Sequence, residues 1–134
     1  MNKEQLMELA LEAMTHSYSP YSGIKVGAAL LCSDGTVYGG CNIENVGFTP
    51  TVCAERTAFF KAIYDGHRDF KAIAVCGGKN GVPGGQFPPC GVCRQVMREF
   101  CKDDFQIILQ NAEGGCDVFT LKDLLPVSFR PENY

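Results

Sequence analysis

A layered α/β domain, with a mixed five-stranded sheet covered by helices on both faces, is the fold class this sequence predicts. Three observations predict it: apolar residues at helical spacing near the N-terminus, two short strands meeting at Ser33-Asp34-Gly35, and helical segments alternating with apolar runs after residue 53. A hairpin is antiparallel, while strands separated by helices can run parallel, so the sheet has to be mixed.

The first helix follows from Leu6, Leu9, Ala10, Ala13 and Met14, with Asn2 placed to cap its start. Tyr18-Ser19-Pro20-Tyr21-Ser22-Gly23 breaks that period. Val26 to Cys32 and Val37 to Cys41 then read as a hairpin of small and branched residues. Residues 42–52, with Gly47 and Pro50, read as irregular, and Cys53 opens a second helix that runs to about Asp65 and is stopped by Gly66.

Phe70 to Cys76, apolar but for Lys71, is unbroken enough to read as a buried strand. Gly77 to Pro89 holds five glycines and three prolines and reads as a loop that delivers Cys90 to a third helix, Gly91 to Cys101. Gln106 to Gln110 is a further buried strand, and a turn at residues 112–115 leads to a short fifth strand around Asp117 to Phe119. Thr120 and Asp123 form a capping-box pattern for a last short helix ending at Pro126.

The 134 residues fit one domain spanning 1–134 with a single core. A chain 46% hydrophobic and 20% charged is ordinary for a folded domain, and no segment approaches the roughly 18 apolar residues of a membrane span. The first fourteen residues interleave Lys3, Glu4, Glu8 and Glu12 with apolar positions, unlike a signal peptide, which predicts a cytoplasmic protein. A net charge of -3 without clustered Lys and Arg argues against a nucleic-acid partner, because phosphate binding needs such clusters. Eight cysteines in a reducing compartment point to metal binding before disulfides.

The chemistry concentrates in Cys53-Ala54-Glu55 and Pro89-Cys90-Gly91-Val92-Cys93. Cys90 and Cys93, three apart on a first helical turn, share one face, and Cys53 arrives from the other helix start. Helix N-termini lower a thiol's pKa and favour the thiolate that zinc takes. Three thiolates leave one tetrahedral position open for a water, and Glu55, two residues from a ligand, is placed to take its proton. A closed structural site would need a fourth ligand. His67 lies fourteen positions along the second helix and Cys101 at the end of the third, about 20 Å and about 12 Å away, which removes both; spacing does not remove Cys41 and Cys76. Three thiolates on Zn²⁺ leave an excess negative charge, and Arg56, beside Glu55, is the compensating cation.

These motifs, with Val26-Gly27-Ala28-Ala29-Leu30 before them, Cys41-Asn42-Ile43-Glu44-Asn45, and Arg94-Gln95 after Cys93, resemble the small homotetrameric cytidine deaminases over nearly the whole chain. The resemblance implies a three-layer cytidine deaminase-like fold and one zinc per chain. It also implies hydrolysis of cytidine and 2′-deoxycytidine to uridine and 2′-deoxyuridine in pyrimidine salvage. In it Asn42 and Glu44 bind the ribose hydroxyls, the Ala54 backbone N–H meets the pyrimidine carbonyl, and Phe129 reaches a neighbouring subunit's pocket. Ile24 and Phe48 stand where the family commonly has phenylalanine and tyrosine in the pocket wall. A carboxylate such as Glu44 accepts from a sugar and repels a phosphate, so a free nucleoside suits this pocket better than a nucleotide or polynucleotide. Two rival readings predict differently: a deaminase of a modified nucleoside such as a nucleoside antibiotic, and a non-catalytic zinc-stabilised binding module with four protein ligands.

Overall fold

Every predicted element is present in the computed structural model, which describes residues 1–134. In chain order these are α1 (Lys3–Met14), β1 (Ile24–Cys32), β2 (Val37–Cys41), α2 (Ala54–Tyr64), β3 (Phe70–Lys79), α3 (Gly91–Phe100), β4 (Gln106–Gln110), β5 (Cys116–Thr120) and α4 (Leu121–Leu124), followed by a 3₁₀ turn at Pro131–Asn133. One sheet has the strand order β2-β1-β3-β4-β5. Only β3 and β4 run parallel; β1 pairs antiparallel with both β2 and β3, and β4 with β5.

Successive side chains on β3 point to opposite faces, and both faces are covered. Ile73 and Val75 join Phe59, Ala58, Cys93 and Met97 in the core beneath α2 and α3. Ala72, Ala74 and Cys76 face the other way, where Leu6, Met7, Ala10 and Met14 of α1 pack. The three layers are thus α1, the sheet, and the α2–α3 pair. Gly40 on β2 makes the approach of α2 possible: a Cβ there would strike the Ala54 carbonyl oxygen and stand 2.6 Å from Ala58 N.

Several boundaries differ from the sequence reading. β1 starts at Ile24 instead of Val26, and β3 runs through Gly77 to Lys79, residues assigned above to the loop. The reason is mutual: Ile24, Lys25 and Val26 pair with Lys79, Gly78 and Gly77, so each strand supplies the backbone partners of the other's extension. β5 gains a residue at each end through its register with β4. α4 closes at Leu124, two residues short of Pro126, because the residue before a proline is pushed out of helical geometry.

Candidate metal centre

α1 and α4 open with capping boxes, from Asn2 with Gln5 and from Thr120 with Asp123. α2 and α3 do not. Their N-cap residues are Cys53 and Cys90, and neither side chain caps its helix. The free N–H groups and the positive ends of two helix dipoles are therefore left facing sulfur. α2 reaches this place by packing on β2 over Gly40, and α3 by following the loop from β3, which Arg94 ties down through its Nε to Pro89 O (2.8 Å) and Nη1 to Leu124 O (2.8 Å).

The sulfur atoms of Cys53, Cys90 and Cys93 lie within 4.8 Å of one another, and no further histidine, cysteine or carboxylate joins the group. Cys53 Sγ and Cys90 Sγ are 3.8 Å apart. Two zinc–sulfur bonds of about 2.3 Å at a tetrahedral angle span about 3.8 Å, so the pair already has the separation of two zinc ligands. Neither Cys41 nor Cys76, the two that spacing left open, belongs to the cluster: Cys41 ends β2, and Cys76 is buried in the α1 core on the far face of the sheet.

Electrostatics favour a cation here. The Cys93 thiol and the Arg56 guanidinium, whose Nη2 donates to Cys53 Sγ at 3.4 Å, hold Cys53 well below the ordinary thiol range. Cys93, hydrogen-bonded to that thiolate and buried, is driven upward. A positive ion among the sulfurs favours the thiolate form of each. Glu55 is 4% exposed, and burial, reinforced by the Cys53 charge, pushes its carboxyl up to about 7.

Asn42 and Glu44, in the segment after β2, are already engaged by the chain. Asn42 Nδ2 donates to Ile24 O (2.8 Å), and its Oδ1 accepts from Val26 N (2.9 Å) and from the Ser17 hydroxyl. Glu44 Oε1 accepts from Tyr21 N (2.9 Å) and Ser22 N (3.1 Å), and Oε2 from the Ser22 hydroxyl, which holds the carboxyl below its usual range. Ser17 and Ser22 escaped the sequence reading: Ser22 lies in the segment that breaks α1's period and Ser17 just before it, and serine in a turn carries no distinguishing pattern. Ile24 is half-buried at the start of β1 and packs on the α2 core. Phe48, at φ 60°, is 82% exposed, and Phe129, held by Gln95 Nε2 to its carbonyl (2.8 Å), is 62% exposed. Within one chain neither ring closes the site.

The largest cavity, about 830 Å³ and lined in part by Arg68, Lys71 and Gln106 at the starts of β3 and β4, shares no residue with the cysteine cluster. The cluster is found by its chemistry, not by the size of a cleft.

Comparison with known proteins agrees with this geometry. Residues 1–109 match the family model described as the cytidine and deoxycytidylate deaminase zinc-binding region. The chain is 47% identical to a cytidine deaminase of Sporosarcina psychrophila, over 99% of this chain and 95% of that one. It is 45% identical to one of Halalkalibacterium halodurans, over 99% and 98%. A crystal structure of cytidine deaminase from Burkholderia pseudomallei superposes with a TM-score of 0.88 at 45% identity, covering 96% of this chain and all of that one.

Proposed function

This chain belongs to the cytidine and deoxycytidylate deaminase family, and we propose on that footing which of its side chains carry the reaction. The enzyme deaminates cytidine, and zinc is its cofactor. 2′-Deoxycytidine is the second substrate, the products are the uridine nucleosides and ammonia, and the setting is pyrimidine salvage in the cytoplasm.

Cys53, Cys90 and Cys93 hold the metal. Zinc, when bound there, supplies a Lewis acid that brings the pKa of a water down toward neutrality. The observation that carries the assignment is Glu55: a carboxyl buried at the first turn of α2, two residues from a ligand, with its affinity for protons raised to about 7. A group poised there both accepts and returns a proton at neutral pH. Glu55 takes the proton of the attacking water, passes it to N3 of the pyrimidine as C4 becomes tetrahedral, and then serves the leaving amine. Water and cytidine are consumed, and uridine and ammonia appear, with no net proton change on Glu55. Arg56 offsets the excess negative charge of three thiolates, supported by its contact with Cys53 Sγ.

Hydrogen-bond capacity supports the nucleoside assignment. Asn42 Nδ2 has one N–H beyond the bond to Ile24 O, and Glu44 Oε2 has a lone pair beyond the Ser22 bond. A spare donor and a spare acceptor suit sugar hydroxyls, which both accept and donate. The Ala54 N–H, at the first position of α2, has no partner within its own helix and is available to the pyrimidine carbonyl. The enzyme assembles as a homotetramer in which Ile24 lines the chain's own pocket and the exposed rings of Phe48 and Phe129 complete a neighbour's.

The test is loss of cytidine ultraviolet absorbance with purified, zinc-loaded protein, repeated with Glu55→Gln. The variant is expected to retain zinc and to lose about 10²- to 10⁴-fold in kcat. Full zinc content with an unchanged rate would remove Glu55 from the mechanism.

A further inference from the structure

At the C-terminal end of α2, remote from Cys53, a second group of unlike metal ligands converges. We propose that Cys32, Asp34 and His67 form a second divalent metal site, weaker than the catalytic one, that takes zinc or a similar borderline ion and ties the β1–β2 turn to the end of α2. One ligand atom from each of the three lies within 4.8 Å of the others, the same proximity the catalytic cysteines show. The eleven residues of α2 separate the two clusters by about 16 Å, so the second cannot be an extension of the first.

The backbone holds these donors in place. Cys32 ends β1 with its N–H donated to Thr36 O (2.8 Å), and the next residue, Ser33, donates its N–H to Asp69 O (3.0 Å), bracing the turn against the segment after α2. Asp34 Oδ1 accepts from Thr36 N (3.0 Å), which leaves Oδ2 for another partner. His67 N–H is donated to Ala62 O (3.0 Å), and its ring stands edge-on to Tyr38 at 5.3 Å between centroids. Three donors reach one point from two stretches of chain that are each already fixed, so an ion would order little that is not ordered already.

Distances and charge fit a cation better than they fit a simple ion pair. His67 Nδ1 is 3.7 Å from Asp34 Oδ2. That is long for a hydrogen bond. In a tetrahedral zinc site, nitrogen and oxygen ligands at about 2.0 to 2.2 Å lie about 3.4 Å apart, within a small side-chain adjustment of the distance found. A thiolate, a carboxylate and a neutral imidazole sum to the charge that balances a divalent ion, without the surplus that three thiolates carry. Thiolate and imidazole together favour zinc and its neighbours over calcium or magnesium. Cys32 is buried and Asp34 exposed, so the ion would sit at the protein surface with its remaining position open to solvent.

The experiment uses the full chain with its catalytic zinc in place, equilibrated against buffered free zinc in the micromolar range, with bound metal counted per chain. Wild type is expected to hold two equivalents. His67→Ala, at a half-buried position, and Asp34→Asn, at an exposed one, are expected to hold one and to turn over cytidine at the wild-type rate. Cobalt added to the zinc-loaded protein should give a thiolate-to-cobalt charge-transfer absorption that Cys32→Ser abolishes. A single equivalent in wild type, a second equivalent that persists in both the His67 and the Asp34 variants, or a cobalt band that survives Cys32→Ser would each overturn the site. None of these readouts depends on whether cytidine is deaminated.

Discussion

At the scale of single residues, the eight cysteines divide by what surrounds them. Cys53 is held toward the thiolate by Cys93 and Arg56, while burial pushes the remote thiols of Cys32, Cys41, Cys76, Cys101 and Cys116 upward. Cys76, fully buried among alanines of the α1 core, rises to about 11. Its folded pKa lies above the unfolded value, so the stability it contributes is complete below about pH 9 and is lost as pH rises toward 11, because the unfolded chain releases the proton first. Two pKa units set the scale at on the order of 2 kcal/mol. Urea unfolding of wild type between pH 8 and 11 should therefore show a decline that Cys76→Ala flattens by about that amount, after allowance for the variant's lower starting stability. Parallel curves for the two proteins would mean that Cys76 ionises in the folded state as readily as in the unfolded one.

At the scale of elements, the site depends on how closely α2 lies on β2. Gly40→Ala places a methyl group against the Ala54 carbonyl oxygen and Ala58 N, both backbone atoms, so the helix itself has to move. Overpacking of this kind costs about 1 to 3 kcal/mol. It also displaces Cys53 and Glu55, which ride on the first turn of that helix. The expected outcome is a lower Tm together with a fall in kcat larger than the fall in zinc content, since Glu55 needs tighter placement than a thiolate. A variant with a lower Tm but wild-type kcat would show that α2 shifts without disturbing its N-terminus. The sequence made α2 and α3 legible because their starts carry both the helix signal and the ligands. It left two things hidden. The pairing of β1 with β3 depends on contacts between segments some fifty residues apart, which is why Gly77 to Lys79 reads as loop but folds as strand. The engagement of Glu44 by Ser22 is a tertiary hydrogen bond between two loops, and neither residue is unusual where it stands.

At the scale of the whole molecule, the outer surface of the α2–α3 layer is apolar where a solitary chain would be expected to be polar. Phe60 and Tyr64 lie one turn apart on the exposed side of α2, and Tyr64 is 90% exposed. Phe60 borders Ile43, Val52 and Tyr64 on one side and Val92 and Val96 of α3 on the other, making one continuous strip. No helix is long and apolar enough to cross a membrane, so these helices do not carry the strip through a bilayer. The proposed tetramer gives it a covering surface, and gives the exposed rings of Phe48 and Phe129 a pocket to enter. Wild type should then migrate at roughly four times its 14.6 kDa chain mass. Phe60→Asp, which introduces a charge into the strip without touching the cysteine cluster, should give smaller species that keep their zinc and lose most of their kcat/KM, through KM more than kcat, because the pocket wall goes while Glu55 stays. Light scattering and steady-state kinetics on the same samples decide it: a small species with unaltered kcat/KM would mean that each chain builds its nucleoside pocket alone.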